Sequence, residues 1–161
     1  AYEYMAKVKG DCLKPVIDLF SRTALEICEG QQLDMEFESR NDVKEEEYLE
    51  MIRLKTSVLL AASLKIGALL GGASAADADA LYDFGMHMGV AFQLKDDWLD
   101  VYGDPAVFGK KIGGDILCNK KTYMLIQALR RAEGETLTEL QRWLSAEHPN
   151  PEEKIAAVTY I

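Results

Sequence analysis

The chain has 161 residues and carries 18 Lys and Arg against 27 Asp and Glu, a net charge of −9. That length suits one domain with one core, and a composition of 48% apolar with 28% charged residues excludes wholesale disorder. The acidic balance repels a phosphate backbone, which argues against a nucleic-acid partner unless a local basic patch overrides it.

The first residues, Ala1-Tyr2-Glu3-Tyr4, offer no initiator Met, basic start or cleavage site, and read as the middle of a helix. Beyond them, apolar residues recur three and four apart and strand-type alternation is nearly absent, so the fold class is all-α. The spacing predicts helices over 14–38, 44–70, 76–102, 119–132 and 135–146, with a last one starting at Pro151. Pro15 suits the first turn of its helix, Gly71-Gly72 a C-terminal stop, and Gly103-Asp104-Pro105 the end of the third helix. The longest apolar stretch, Ser57 to Leu70, is interrupted by Lys65 and falls short of the roughly 20 residues of a membrane span. It is predicted to be a buried helix, and no transmembrane segment is expected. Cys12, Cys28 and Cys118 form no C-x-x-C pair and have no His at metal-ligand spacing, which predicts reduced thiols in a cytoplasmic protein.

Charge is unevenly spread along these helices. Residues 77–104 hold seven Asp against Lys95, a local −6, whereas residues 109–131 hold four Lys and two Arg against Asp115, a local +5. Within the acidic helix, Phe92-Gln93-Leu94-Lys95-Asp96-Asp97-Trp98-Leu99-Asp100 sets Asp96 and Asp100 one turn apart on one face, with Asp97 about 100° away. Like charges at that spacing repel, so a hard divalent cation is a natural partner; Mg²⁺ commonly takes one or two carboxylates and completes its shell with water and phosphate. Gly89, Gln93, Asp96 and Asp100 lie along one stripe. A solvated acidic face is the plain alternative, although acids near a helix C-terminus oppose the macrodipole.

Downstream, Gly109-Lys110-Lys111-Ile112-Gly113-Gly114-Asp115 precedes Asn119-Lys120-Lys121. Glycines let the backbone approach an anion and lysines neutralise it, which suits phosphate, although the P-loop spacing is absent. A basic surface loop is the alternative. Lys55-Thr56-Ser57 lies mid-helix before an apolar run, so the ammonium group is expected to point into the protein. Gln31, Asp34 and Glu38 share a face after Gly30 and could be ordinary helix surface.

Taken in order, Gly30-Gln31-x-x-Asp34, Lys55-Thr56, Phe92-Gln93-x-x-Asp96-Asp97-x-x-Asp100 and Gly109-Lys110-x-x-Gly113-x-Asp115 with Lys120 resemble the trans-isoprenyl diphosphate synthases, or polyprenyl synthetases. The resemblance is to the farnesyl and geranylgeranyl diphosphate synthase type and spans Ala1 to Thr122. It implies a terpenoid-synthase-like helical bundle, here a partial set of its helices forming a single partial domain over 1–161. It also implies Mg²⁺-dependent condensation of an allylic prenyl diphosphate with isopentenyl diphosphate. On that resemblance Asp96 is the principal metal ligand, with Asp97 and Asp100 in support. Lys55 and Lys110 hold the diphosphate, with Lys111 a rival to Lys110 and Lys120 adding positive potential. Thr56 and Gln93 place oxygen dipoles near the developing cation, Gln31 lines the substrate site, and Asp34 and Asp115 support it from behind. The apolar segments around Ser57–Leu70 and Met86–Phe92 would wall a water-free cavity, with Gly67-x-x-x-Gly71 and Gly85-x-x-x-Gly89 allowing close helix approach. His87 and His148 have no catalytic part. The family's first D-D-x-x-D motif, with its Arg pair, is absent from this sequence, so the chain reads as the middle-to-late portion of a longer synthase. A noncatalytic synthase-like subunit or inactive fragment, and an acidic helical interaction module, are the competing readings. Homodimers are common in the family.

Overall fold

A computed structural model describes residues 2–8, 10–109, 111–145 and 150–161. Every regular element among them is helical, as the spacing predicts. They are α1 (Tyr2–Met5), a 3₁₀ turn (Gly10–Cys12), α2 (Leu13–Ser39), α3 (Glu45–Ile52), a π-helical turn (Arg53–Ser57), α4 (Val58–Leu70), α5 (Ala75–Tyr102), α6 (Pro105–Phe108), α7 (Gly114–Leu117), α8 (Tyr123–Arg131), α9 (Gly134–Ser145) and α10 (Pro151–Tyr160).

Three boundaries show why the chain breaks where it does. The C-cap of α4 is Gly71, followed by Gly72 at φ +81°, a left-handed conformation that glycine adopts without strain. After α5, Asp104 caps α6 by accepting the Ala106 N–H, and Pro105 occupies the first helical position. The predicted helix over 119–132 starts only at Tyr123, because Asn119 is left-handed (φ 49°) and Thr122 caps the helix by accepting the Leu125 N–H. The short helices α6 and α7 inside the basic loop carry no periodic signal of their own.

The contacts group into two compact units: Ala1–Asp34 with Glu50–Gln93, and Met35–Leu49 with Leu94–Ile161. In the first, Val16, Ile52, Leu54, Val58, Ala61, Ala62 and Ala78 are buried. Gly85 and Gly89 bring α5 onto α4 and the π turn: a Cβ would lie 2.7 Å from the Ala61 Cα at Gly85 and 2.5 Å from the Ser57 Cα at Gly89. The Gly67-x-x-x-Gly71 pair does not act likewise, since a Cβ at Gly67 meets nothing within 4 Å. Nor is α4 buried all round. Leu59, Phe84, Met88 and Phe92 are exposed, so the expected apolar wall is an open face of this chain.

In the second unit, Phe37, Tyr48, Ile116, Ile126, Leu140 and Trp143 are buried. Glu45 in the first turn of α3 accepts from Gln127 Nε2 (2.7 Å) and Arg130 Nη1 (2.8 Å) of α8. Lys154 is 6% exposed and donates to Asn119 Oδ1 (2.7 Å), while Asn119 Nδ2 donates to the Leu144 carbonyl (2.9 Å). Burial pushes the Lys154 ammonium below the ordinary lysine range. The three cysteines are free. No helix of the described residues is long and apolar enough to cross a membrane.

Candidate active site

The first unit builds a lysine–threonine turn. An α-helical register is interrupted at Arg53–Ser57, where Ser57 Oγ donates to the Ile52 carbonyl five residues back (3.5 Å). Such π turns recur at functional sites because they re-aim consecutive side chains. Two glycines clamp this one: Gly89 against Ser57, and Gly30 of α2 against Lys55, where a Cβ would lie 2.4 Å from the Lys55 backbone nitrogen. The turn aims Lys55 at Asp34, with Nζ 2.6 Å from Oδ2 and both side chains half-buried. It also turns Thr56 toward α5, where its hydroxyl donates to Gln93 Oε1 at 3.3 Å. Asp34, the adjacent Lys55 and Thr56, and Gln93, from three segments far apart in sequence, are thereby paired within one unit. Gln31, three residues before Asp34, is exposed.

The second unit carries the aspartates. Asp96 and Asp100 are partly exposed on one face of α5, and Asp97 is only 2% exposed. Asp97 Oδ2 accepts from the Tyr48 hydroxyl and, at 3.4 Å, from the Tyr123 backbone N–H. Its 100° offset from Asp96 turns it into the core. Asp100 Oδ2 accepts the Asp115 N–H at 3.0 Å, and the Asp100 carbonyl accepts the Gly113 N–H at 2.6 Å. This is how an acidic residue stands in the last turn of a helix: it takes N–H donors from the loop that follows.

Asp115 faces Lys120, Nζ to Oδ1 3.6 Å. Burial pushes the Asp115 carboxyl above the ordinary Asp range; Lys120 opposes the shift, and Asp100 and Asp97 add to it. Both side chains line a cavity of about 460 Å³ shared with Tyr123, Gln127 and Arg131. Lys111 is exposed, and Lys110 lies outside the described residues, as does His148; His87 is exposed on α5.

Among the described residues no three acidic, His or Cys side chains converge into a metal cage. What remains is a pair of carboxylates one turn apart, the kind of incomplete donor set that suits Mg²⁺ when phosphate supplies the other ligands. Sequence reasoning missed Tyr48 and Lys154. Tyr48 lies seven residues before Lys55, and the adjacent Asp96-Asp97 pair, which cannot share a face, was the one signal that a buried partner was needed.

The polyprenyl synthetase family model matches residues 1–161. This chain belongs to the polyprenyl synthetase family. Over 133 residues, 81% of the chain, it is 47% identical to a geranylgeranyl diphosphate synthase of Methanosarcina mazei, matching 41% of that protein. A crystal structure of a geranylgeranyl pyrophosphate synthase superposes with a TM-score of 0.90 at 42% identity, over 99% of this chain and 50% of the other. A polyprenyl synthase from Caulobacter crescentus, solved in complex with calcium and isoprenyl diphosphate, matches with a TM-score of 0.78 at 28% identity, over 89% of this chain and 45% of that one. The chain thus spans half or less of the length of the relatives it matches. In this family member, the paired Lys55-Asp34 and Thr56-Gln93 of the first unit and, separately, the Asp96-Asp100 face of the second are the predicted site residues whose arrangement is described.

Proposed function

We propose that this chain is the portion of a prenyl diphosphate synthase that carries the second aspartate-rich motif and the lysine–threonine turn. On this reading the enzyme condenses an allylic prenyl diphosphate with isopentenyl diphosphate. The observation that carries this is the way α5 splits its motif: Asp96 and Asp100 stay on one partly exposed face while Asp97 is held by the core. A solvated acidic helix has no reason to bury one Asp against a tyrosine. Support also comes from the Caulobacter relative, which was solved with a divalent cation and an isoprenyl diphosphate.

In the reaction, the C–O bond of the allylic diphosphate breaks to leave a carbocation, and the double bond of isopentenyl diphosphate attacks it to form a C–C bond. A proton then passes to the departed diphosphate. Bound Mg²⁺ would neutralise the negative charge that grows on the leaving group. Asp96 and Asp100 would hold it, with Asp97 behind them as a structural anchor. Lys55, oriented by Asp34, and Lys110 or Lys111 would bind the diphosphate, and Lys120, backed by Asp115, would add positive potential. These cations stabilise the departing diphosphate more than the ground state, which is what lowers the barrier. The hydroxyl of Thr56 and the amide oxygen of Gln93 would turn partial negative charge toward the carbocation, and Gln31 would line the same site. We place the protein in the cytoplasm as a homodimer.

Incubating the protein with labelled isopentenyl diphosphate, an allylic diphosphate and Mg²⁺ tests this, with extracted prenyl products as the readout. Longer products support the enzyme; a protein that makes none, yet activates a second synthase on mixing, is a noncatalytic subunit.

A further inference from the structure

Asp97 and Tyr48 are among the most enclosed polar groups of the second unit. Tyr48 is 1% exposed and Asp97 2% exposed. A buried carboxylate is tolerated when donors satisfy it, and here the donors come from two other elements: the Tyr48 hydroxyl of α3 and the Tyr123 backbone N–H at the start of α8. Rotating α5 about its axis would pull Asp97 from both donors at once. Since Asp96 lies about 100° and Asp100 about 60° to the same side of Asp97 around α5, one fixed carboxylate sets the direction of the other two. The setting extends into the loop, because Asp100 in turn accepts the Asp115 N–H and pairs its carbonyl with Gly113.

We propose that the Tyr48–Asp97 hydrogen bond is a positioning device: it locks the rotation of α5 so that Asp96 and Asp100 present their carboxylates together to a divalent cation. The inference rests on the reading of that face as the metal face. It assigns Asp97 the part of a hydrogen-bond acceptor, so a carboxylate charge is not required of it. Outer partners that orient metal ligands commonly contribute about 10–100-fold in metal affinity.

Calorimetric titration of the protein with Mg²⁺ in the presence of inorganic pyrophosphate tests this on variants whose fold is first confirmed by circular dichroism. Asp97→Asn keeps an acceptor oxygen for Tyr48 and should bind Mg²⁺ within about threefold of the parent, whereas Asp97→Ala and Tyr48→Phe should each weaken binding by about tenfold or more. A loss in Asp97→Asn as deep as that in Asp96→Asn would make Asp97 a ligand and overturn the proposal. So would a folded Tyr48→Phe that binds like the parent. Should Tyr48→Phe fail to fold, the contrast between Asp97→Asn and Asp97→Ala decides. If Asp96→Asn itself leaves Mg²⁺ binding unchanged, the metal reading fails and the positioning role with it; a loss in Asp96→Asn alone leaves the metal reading standing and removes the positioning role.

Discussion

Substituting Gly89 by Ala tests how the lysine–threonine turn is built. The new methyl would sit 2.5 Å from the Ser57 Cα and 2.7 Å from its Cβ and Oγ, about 1 Å inside the carbon–carbon optimum of about 3.5–4.0 Å. The nearest of those atoms is the Ser57 Cα, in a turn that Gly30 also meets at the Lys55 backbone, so no flexible side-chain end can relieve the contact. Ala gains about 1 kcal/mol over Gly in helix propensity, and forced overpacking costs about 1–3 kcal/mol or more. With backbone as the obstacle the upper part of that range applies, and the net loss is about 1–2 kcal/mol. Gly67→Ala is the matched control. It lies in α4, exposed, with nothing within 4 Å of its Cβ, and should stabilise by about 0.5–1 kcal/mol. Urea denaturation followed by far-ultraviolet circular dichroism measures both. If Gly89→Ala is as stable as Gly67→Ala, the close approach of α5 to the π turn does not exist.

Three further outcomes follow from the same geometry. Asp34→Asn removes the carboxylate 2.6 Å from Lys55 Nζ; steady-state kinetics should show kcat/KM for the allylic diphosphate falling by about tenfold, equivalent to about 1.4 kcal/mol, and an unchanged value would remove Asp34 from the site. Burial lowers the Lys154 pKa, so the unfolded chain binds more protons than the native state below the ordinary lysine value of 10.5. Stability should therefore rise as the pH climbs toward that value, and Lys154→Met should abolish the rise; parallel slopes in denaturation at several alkaline pH values would contradict this. Gly113 is left-handed at φ +82°, with Ile155 Cδ1 2.6 Å from where a Cβ would stand. Gly113→Ala should lower stability by about 1–2 kcal/mol from the backbone alone, read as a lower thermal midpoint, and an unshifted midpoint would show that the loop relaxes freely.

How far the sequence discloses this arrangement depends on the range of the interaction. Local signals were sufficient for the long helices: apolar spacing, Pro15 in a first turn, Gly71-Gly72 at a stop and Gly103-Asp104-Pro105 at the end of α5 all act within a few residues. The π turn was not legible, because its cause lies in Gly30 and Gly89, on two other helices. The late start of α8 depends on a left-handed Asn119 whose side chain is held by the Leu144 carbonyl, again a distant partner. For the site, the order of motifs named the residues, and helix register alone separated Asp97 from Asp96 and Asp100. What register could not supply was the occupant of the other side, Tyr48, or the fact that Lys55 meets Asp34 while Gln31 stays exposed. The apolar run after Ser57 misled for a related reason: hydrophobicity marks what can be buried, and in this chain only one face of α4 is.

On the proposed function, Asp96 acts through a divalent cation on a prenyl diphosphate. The direct measurement is the Mg²⁺ dependence of isopentenyl diphosphate incorporation by the parent and by Asp96→Asn. The variant, still folded, should lose at least about 100-fold in turnover, as expected when about 2.7 kcal/mol of transition-state stabilisation is removed, and should need more Mg²⁺ for half-maximal rate. An Asp96→Asn protein with parental turnover and parental Mg²⁺ dependence would contradict that reading.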